Sequence, residues 1–247
     1  SSSTNTVNNE VVAYLASGDF ESAGDVSVES ESSITLDSLS GGVAGAYTTV
    51  GVAGAMGVAL GRNLIGFDSI DGSGHNNSVM AYINDSSVDA AGDVNINASA
   101  DDTSDNLSFA GSVALASSLA GAASGAEATT WSASNISSRI TNSDLAIGGN
   151  LSVEADAAAD ITRAQAIGAA VAVASGGTAL SIAASVVRNK VNNTINAAIE
   201  QSSTDDQIDA AGNVTVAARQ SKLNIDDVVA VTASVASGGT PLAGGGI

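Results

Sequence analysis

A chain of 247 residues with 44% apolar side chains is long enough to bury a core, but only 3% of it is aromatic, so Ala, Val, Ile and Leu must build that core. The formal charge is −19, from 26 acidic residues against seven scattered basic ones (Arg62, Arg139, Arg163, Arg188, Lys190, Arg219 and Lys222); this excludes a phosphate-tracking nucleic-acid binder and opposes docking or insertion at an anionic membrane. The absence of cysteine excludes disulfides and thiolate metal sites.

The N-terminus, Ser1-Ser2-Ser3-Thr4-Asn5, has neither Met nor a charged-plus-apolar leader and reads as processed or excised from something longer. Four copies of one block then follow. The first is Asn8-Asn9-Glu10-Val11-Val12-Ala13-Tyr14-Leu15, leading to Ala23-Gly24-Asp25-Val26-Ser27-Val28. The second is Asn76-Asn77-Ser78-Val79-Met80-Ala81-Tyr82-Ile83, then Ala91-Gly92-Asp93-Val94-Asn95-Ile96. The third is weaker, Ile136-Ser137-Ser138-Arg139-Ile140 and Gly148-Gly149-Asn150-Leu151-Ser152-Val153. The fourth is Asn192-Asn193-Thr194-Ile195-Asn196-Ala197-Ala198-Ile199, then Ala211-Gly212-Asn213-Val214-Thr215-Val216.

Gly24, Gly92, Gly149 and Gly212 are spaced by 68, 57 and 63 residues, and each of Leu15, Ile83 and Ile140 stands nine residues before its glycine. In the fourth copy that distance is 13, which reads as a surface insertion around Ser203-Thr204-Asp205-Asp206. Alternation at period two, with Val79, Ala81 and Ile83 on one face and Ser78, Met80 and Tyr82 on the other, predicts strands. The pairs Gly24-Asp25, Gly92-Asp93, Gly149-Asn150 and Gly212-Asn213 are expected to form tight turns at positive φ.

Between the copies lie Ala/Gly/Val-rich tracts: Gly42 to Gly61, Phe109 to Ala128, Ala164 to Val187 and Val228 to Ala243. Frequent glycine and the alternation of small with β-branched residues argue for strands and against a membrane helix. A helix over Ala179 to Ile199 stands as the alternative, since Ala is the best helix former. Stacked repeats of this kind define an all-β chain, a β-solenoid of about four repeats. Residues 1–247 form one elongated repeat domain, with approximate repeats 1–68, 69–134, 135–191 and 192–247, the terminal ones incomplete. Each repeat makes roughly three coils of about 20 residues, or fewer and wider ones.

The block from Asn76 to Ala98, with small-residue tracts between copies, resembles the repeats of giant bacterial filamentous adhesins, the filamentous-haemagglutinin-like and leukotoxin-like surface proteins. The resemblance spans essentially the whole chain. It implies a right-handed β-helix, export across a bacterial envelope, an extracellular or cell-surface location, and contact with host or neighbouring cells.

The termini match one another. Joining tail to head places 13 residues between Thr240 and Val7, against 12 between Thr178 and Val191. Two explanations compete: a piece of a longer tandem array, or a subunit that associates head to tail, its tract Val228–Ile247 completing a repeat with the segment Ser1–Leu15 of the next.

Few residues suggest chemistry. His75, the single histidine, sits in a glycine-rich loop and reads as an exposed loop residue, so no catalytic residue is assigned. Acidic groups at Asp68 and Asp71, at Asp101, Asp102 and Asp105, at Asp205 and Asp206, and at Asp226 and Asp227 are either solvated surface charge or weak Ca²⁺ candidates; no cofactor is expected beyond such a structural ion. Sequons at Asn76, Asn84, Asn97, Asn106, Asn135, Asn150, Asn192 and Asn213 follow from a Ser-rich composition. Trp131, Tyr14, Tyr47 and Tyr82 are expected to pack between coils. The leading function is a structural or adhesive module; the alternative is a polysaccharide-acting β-helix enzyme, for which no pair of carboxylates is singled out by spacing.

Overall fold

The structure, a computed structural model, describes residues 1–72, 77–201 and 206–247. It is all-β, its sheets are parallel, and no helix occurs among the described residues. The chain enters at β1 (Ser2–Val7) and proceeds through β2 (Glu10–Ala16), β3 (Asp19–Ser22), β4 (Val26–Tyr47) and β5 (Val52–Ile65). A second circuit follows as β6 (Asn77–Asn84), β7 (Ser87–Ala90), β8 (Val94–Ala116) and β9 (Leu119–Ser132). The third comprises β10 (Ser134–Thr141), β11 (Asp144–Ile147), β12 (Leu151–Ala174) and β13 (Thr178–Val191). The fourth comprises β14 (Thr194–Glu200), β15 (Ile208–Ala210), β16 (Val214–Ile225) with β17 (Val228–Ser237), and β18 (Thr240–Gly246).

Equivalent strands pair into four sheets: a corner sheet β2-β6-β10-β14, a short sheet β3-β7-β11-β15, a long sheet β4-β8-β12-β16 with β17 also on β12, and a facing sheet β1-β5-β9-β13-β18. The registers follow the sequence repeats: Val11, Val79, Ile136 and Ile195 share a column in the corner sheet. Val26, Val94, Leu151 and Val214 share one in the long sheet. Each sequence repeat therefore makes one wide circuit rather than three narrow ones. The cause is strand length. β4, β8 and β12 run 22, 23 and 24 residues and contain no proline; β4 keeps Gly41-Gly42 within the strand, and β12 continues through a bulge between Ile161 and Arg163. The single proline, Pro241, sits in β18 at the edge of its sheet, where no further N–H is required of it.

Ala179 to Ile199 is strand, lying in β13 and β14. Ala179, Ser181, Ala183 and Ser185 point inward while Leu180, Ile182 and Val186 point out, a period of two that overrides the helix propensity of alanine.

The core is graded along the circuit. Where the corner and short sheets meet the start of the long sheet it is aliphatic, with Val79, Ile83, Ile96, Ile136, Ile140, Leu151 and Val153 buried together. Where the end of the long sheet meets the start of the facing sheet it is alanine, including Ala114, Ala120, Ala170, Ala172 and Ala179. Here the two backbones nearly touch: a Cβ on Gly57 would lie 2.1 Å from the Gly111 carbonyl oxygen, and one on Gly42 would lie 2.2 Å from that of Val58. Between the two cores runs a polar seam. Asn63 Nδ2 lies 2.9 Å from each of Leu36 O, Ser104 Oγ and Asp105 O, and Asn106 Nδ2 donates to Gly61 O (3.0 Å) and Thr129 O (2.9 Å), which ties the long sheet to the facing sheet.

Candidate functional site

The four Gly-Asp or Gly-Asn pairs stack into one column at the entrance to the long sheet. The Asp93 N–H donates to Asp25 Oδ1 (2.8 Å), the Asn150 N–H to Asp93 Oδ1 (2.7 Å), and the Asn213 N–H to Asn150 Oδ1 (2.9 Å). Beside it, backbone bonds join Gly92 N–H to Gly24 O (3.1 Å), Gly149 to Gly92 (3.0 Å) and Gly212 to Gly149 (2.8 Å). The expectation of positive φ at these pairs is corrected, because none of the eight residues adopts it. Glycine is needed for closeness instead: a Cβ on Gly92 or Gly149 would meet the Asx oxygen of the preceding circuit at 2.1 Å. Positive φ occurs one corner earlier, at Ser17, Asp85 and Asn142, which occupy equivalent places before β3, β7 and β11. The preference of Asp and Asn for the left-handed region was the readable signal there.

The acidic candidates do not converge. Asp101 and Asp102 are successive residues of β8, so the pleat sends Asp101 outward and Asp102 into the core, while Asp105 pairs with Arg163 at 2.7 Å. Asp68 Oδ1 accepts from Asn8 Nδ2 (2.5 Å), and Asp71 accepts from Ser69 Oγ, both in the segment after β5. Among the described residues, no group of three or more His, Asp or Glu is arranged to hold a metal ion. His75, Asn76 and the insertion residues Ser203, Thr204 and Asp205 lie outside the described residues. Asn106 is fully buried, so its sequon offers no surface for a glycan. Tyr14 and Tyr82 stack between successive circuits with ring centroids 5.3 Å apart, and Trp131 packs edge-on against Phe67. Tyr47, by contrast, is 73% exposed.

Asp102 is a feature that composition and spacing did not distinguish. Its Oδ2 accepts from Ser132 Oγ (2.7 Å) and Ser134 Oγ (2.8 Å), its Oδ1 has no partner among the described residues, and Asn77 Nδ2 donates to Ser134 (3.2 Å). Burial pushes its pKa above the ordinary carboxylate value; the two serine hydroxyls oppose this and nearby Asp101 adds to it. A carboxyl that holds its proton more tightly when folded stabilises the fold below its unfolded pKa and loses that contribution as pH rises through the folded value. Asp102→Asn, neutral at every pH, is therefore expected to raise Tm by several degrees at pH 7, given about 1–3 kcal/mol for an unsatisfied buried group and roughly 2–4 °C per kcal/mol in a chain of this size. The advantage should vanish near pH 3, as read from melting curves across that range. An equal Tm difference at both pH values would refute the assignment.

The two end surfaces carry half-strands. β18 pairs with Thr178–Ala184, the first half of β13, and leaves Ser185–Val191 open on that side. β1 pairs with Leu60–Ile65, the second half of β5, and leaves Val52–Ala59 open. Core columns are uncovered at the ends: Val214 and Val216 are 53% and 46% exposed, whereas Val94, Leu151 and Val153, which share their columns, are at 0%. No protein-family model, curated protein or solved structure matches the chain.

Proposed function

We propose that the chain is a right-handed β-solenoid, one circuit per repeat, serving as a structural or adhesive segment of a secreted microbial surface protein. Right-handed crossover is the rule for parallel strands joined within a sheet. The filamentous-adhesin resemblance of the Asn76 to Ala98 block supports the surface location. The observation that carries the reading is the pair of end surfaces: the same columns open at both, and the gap left by β18 is the stretch that β1 fills. A next circuit, from the same chain or from a second copy, would pair β2 with β14, β3 with β15 and β4 with β16. It would also bury Val214 and Val216. Open parallel edges are templates for such pairing.

Electron microscopy of chain 1–247 beside a variant lacking Ser1–Val7 tests this, with circular dichroism confirming that both are folded. Filaments from the first and none from the second are expected. Separate particles in both would overturn head-to-tail pairing.

A further inference from the structure

Side-chain charge is confined to one side of every circuit. All seven Lys and Arg and all 26 Asp and Glu lie outside residues 38–61, 106–126, 164–187 and 228–247. These four uncharged stretches stack into a single lobe, formed by the end of the long sheet, the turn, and the start of the facing sheet. A charged collar closes its base, with Arg163 bonded to Asp105, and Glu127 within 3.6 Å of Arg62 and 3.9 Å of Arg188.

Inside the lobe the residues are predominantly small, alanine with serine and glycine; the large apolar side chains face out. In the long sheet these outer columns are Phe109-Ile167-Val231, Val113-Val171-Val235 and Leu115-Val173. Phe109, Val113 and Leu115 remain 40%, 41% and 37% exposed although β8 is flanked on both sides. A Cβ on Gly111 would touch the Phe109 ring and Val43, so these side chains lie over the glycine and flatten the face.

We infer that this outer face of the long sheet is a lateral docking surface for a second copy of the chain, independent of the end pairing above. Four strands about 4.8 Å apart and nine residues long, at about 3.3 Å each, give a patch of roughly 570 Å² per copy. The pair then covers roughly 1,100 Å², above the about 1,000 Å² that a specific interface needs, and the patch sits at the upper end of what a monomer exposes. With a net charge of −19, two copies approach without juxtaposed carboxylates only through the uncharged lobe. A bilayer is the poorer occupant: hydrocarbon leaves the ladder edges at the two end surfaces unsatisfied, and anionic headgroups repel the chain.

The test is sedimentation velocity of the chain lacking Ser1–Val7, in which end-to-end pairing is removed, of that chain with Val113→Asp and Val171→Asp, and of that chain with Val12→Asp, an exposed change on β2 outside the lobe. The expected result is a concentration-dependent dimer whose dissociation constant rises at least tenfold in the double variant and is unchanged in Val12→Asp, with circular dichroism equal for all three. Because that background forms no filaments, loss of end pairing and loss of lateral pairing are read separately. A chain that stays monomeric, a dimer indifferent to the paired aspartates, or flotation of the wild-type chain with phosphatidylcholine vesicles would each overturn the proposal.

Discussion

Gly57→Ala should lower the stability of the chain by about 3 kcal/mol or more, while Gly54→Ala, three residues earlier in the same strand, should be neutral. Both glycines lie in β5 and neither has positive φ, so conformational freedom does not separate them. Space does. The Cβ of an alanine at 57 would be 2.1 Å from the Gly111 carbonyl oxygen and 3.0 Å from that of Gly42, and both are backbone atoms held in ladders of the long sheet. Relief requires the two sheets to part, which would unpack the alanine core around Ala114 and Ala120. A Cβ at 54 meets nothing within 4 Å. At roughly 2–4 °C per kcal/mol, Tm for Gly57→Ala should fall by some 6–12 °C against no more than about 1 °C for the control. Equal melting temperatures would mean that the sheets are not in backbone contact.

Asn63→Ala should cost roughly 3 kcal/mol or more, and Asn63→Leu should not rescue it. Asn63 is fully buried, its amide nitrogen lies within bonding distance of three oxygens on the long sheet, and its Oδ1 accepts from Asn5 Nδ2 at 3.0 Å. Truncation removes the donor that Leu36 O, Ser104 Oγ and Asp105 O share in a low-dielectric seam, and a leucine there fills volume without donating. Ser112→Ala is the contrast. Ser112 is buried too, but its Oγ has no partner among the described residues, so the change should be neutral or stabilise by up to about 1 kcal/mol. Chemical denaturation of the three variants measures all of this; an Asn63→Leu variant as stable as wild type would remove the seam from the account.

The repeat and its register were legible because side-chain period and turn residues are local properties. Val79, Ala81 and Ile83 face the core as their alternation requires, and the spacings of 68, 57 and 63 between the turn glycines reappear as the steps of the Asx column. What alternation could not supply was the length of a circuit, since a strand of 24 residues and several short strands share the same period. Nor could it separate the glycines: Gly92 and Gly149 are needed because a neighbouring circuit crowds them, and that neighbour is some 60 residues away in sequence. Asp102 was readable as an acid but not as a buried one, because the adjacent Asp101 made the pair look like surface charge. The uncharged lobe was present in the sequence as four small-residue tracts; that they stack, with Phe109 and Val113 outward, follows only from the register.

The most direct test of the proposed continuation of the ladder from one copy to the next uses the absence of native cysteine. Tyr14, Tyr82, Arg139 and Ala198 share one column of the corner sheet, so a following copy would place its Tyr14 beside Ala198. Neighbouring parallel strands lie about 4.8 Å apart, inside the disulfide range, whereas the same two positions within one chain are three strands, roughly 14 Å, apart. Mild oxidation of a chain carrying Tyr14→Cys and Ala198→Cys should yield a ladder of covalent oligomers on a non-reducing gel, and Val12→Cys with Ala198→Cys, two residues out of register, should not. Monomer alone from the in-register pair, or equal ladders from both, would contradict the account.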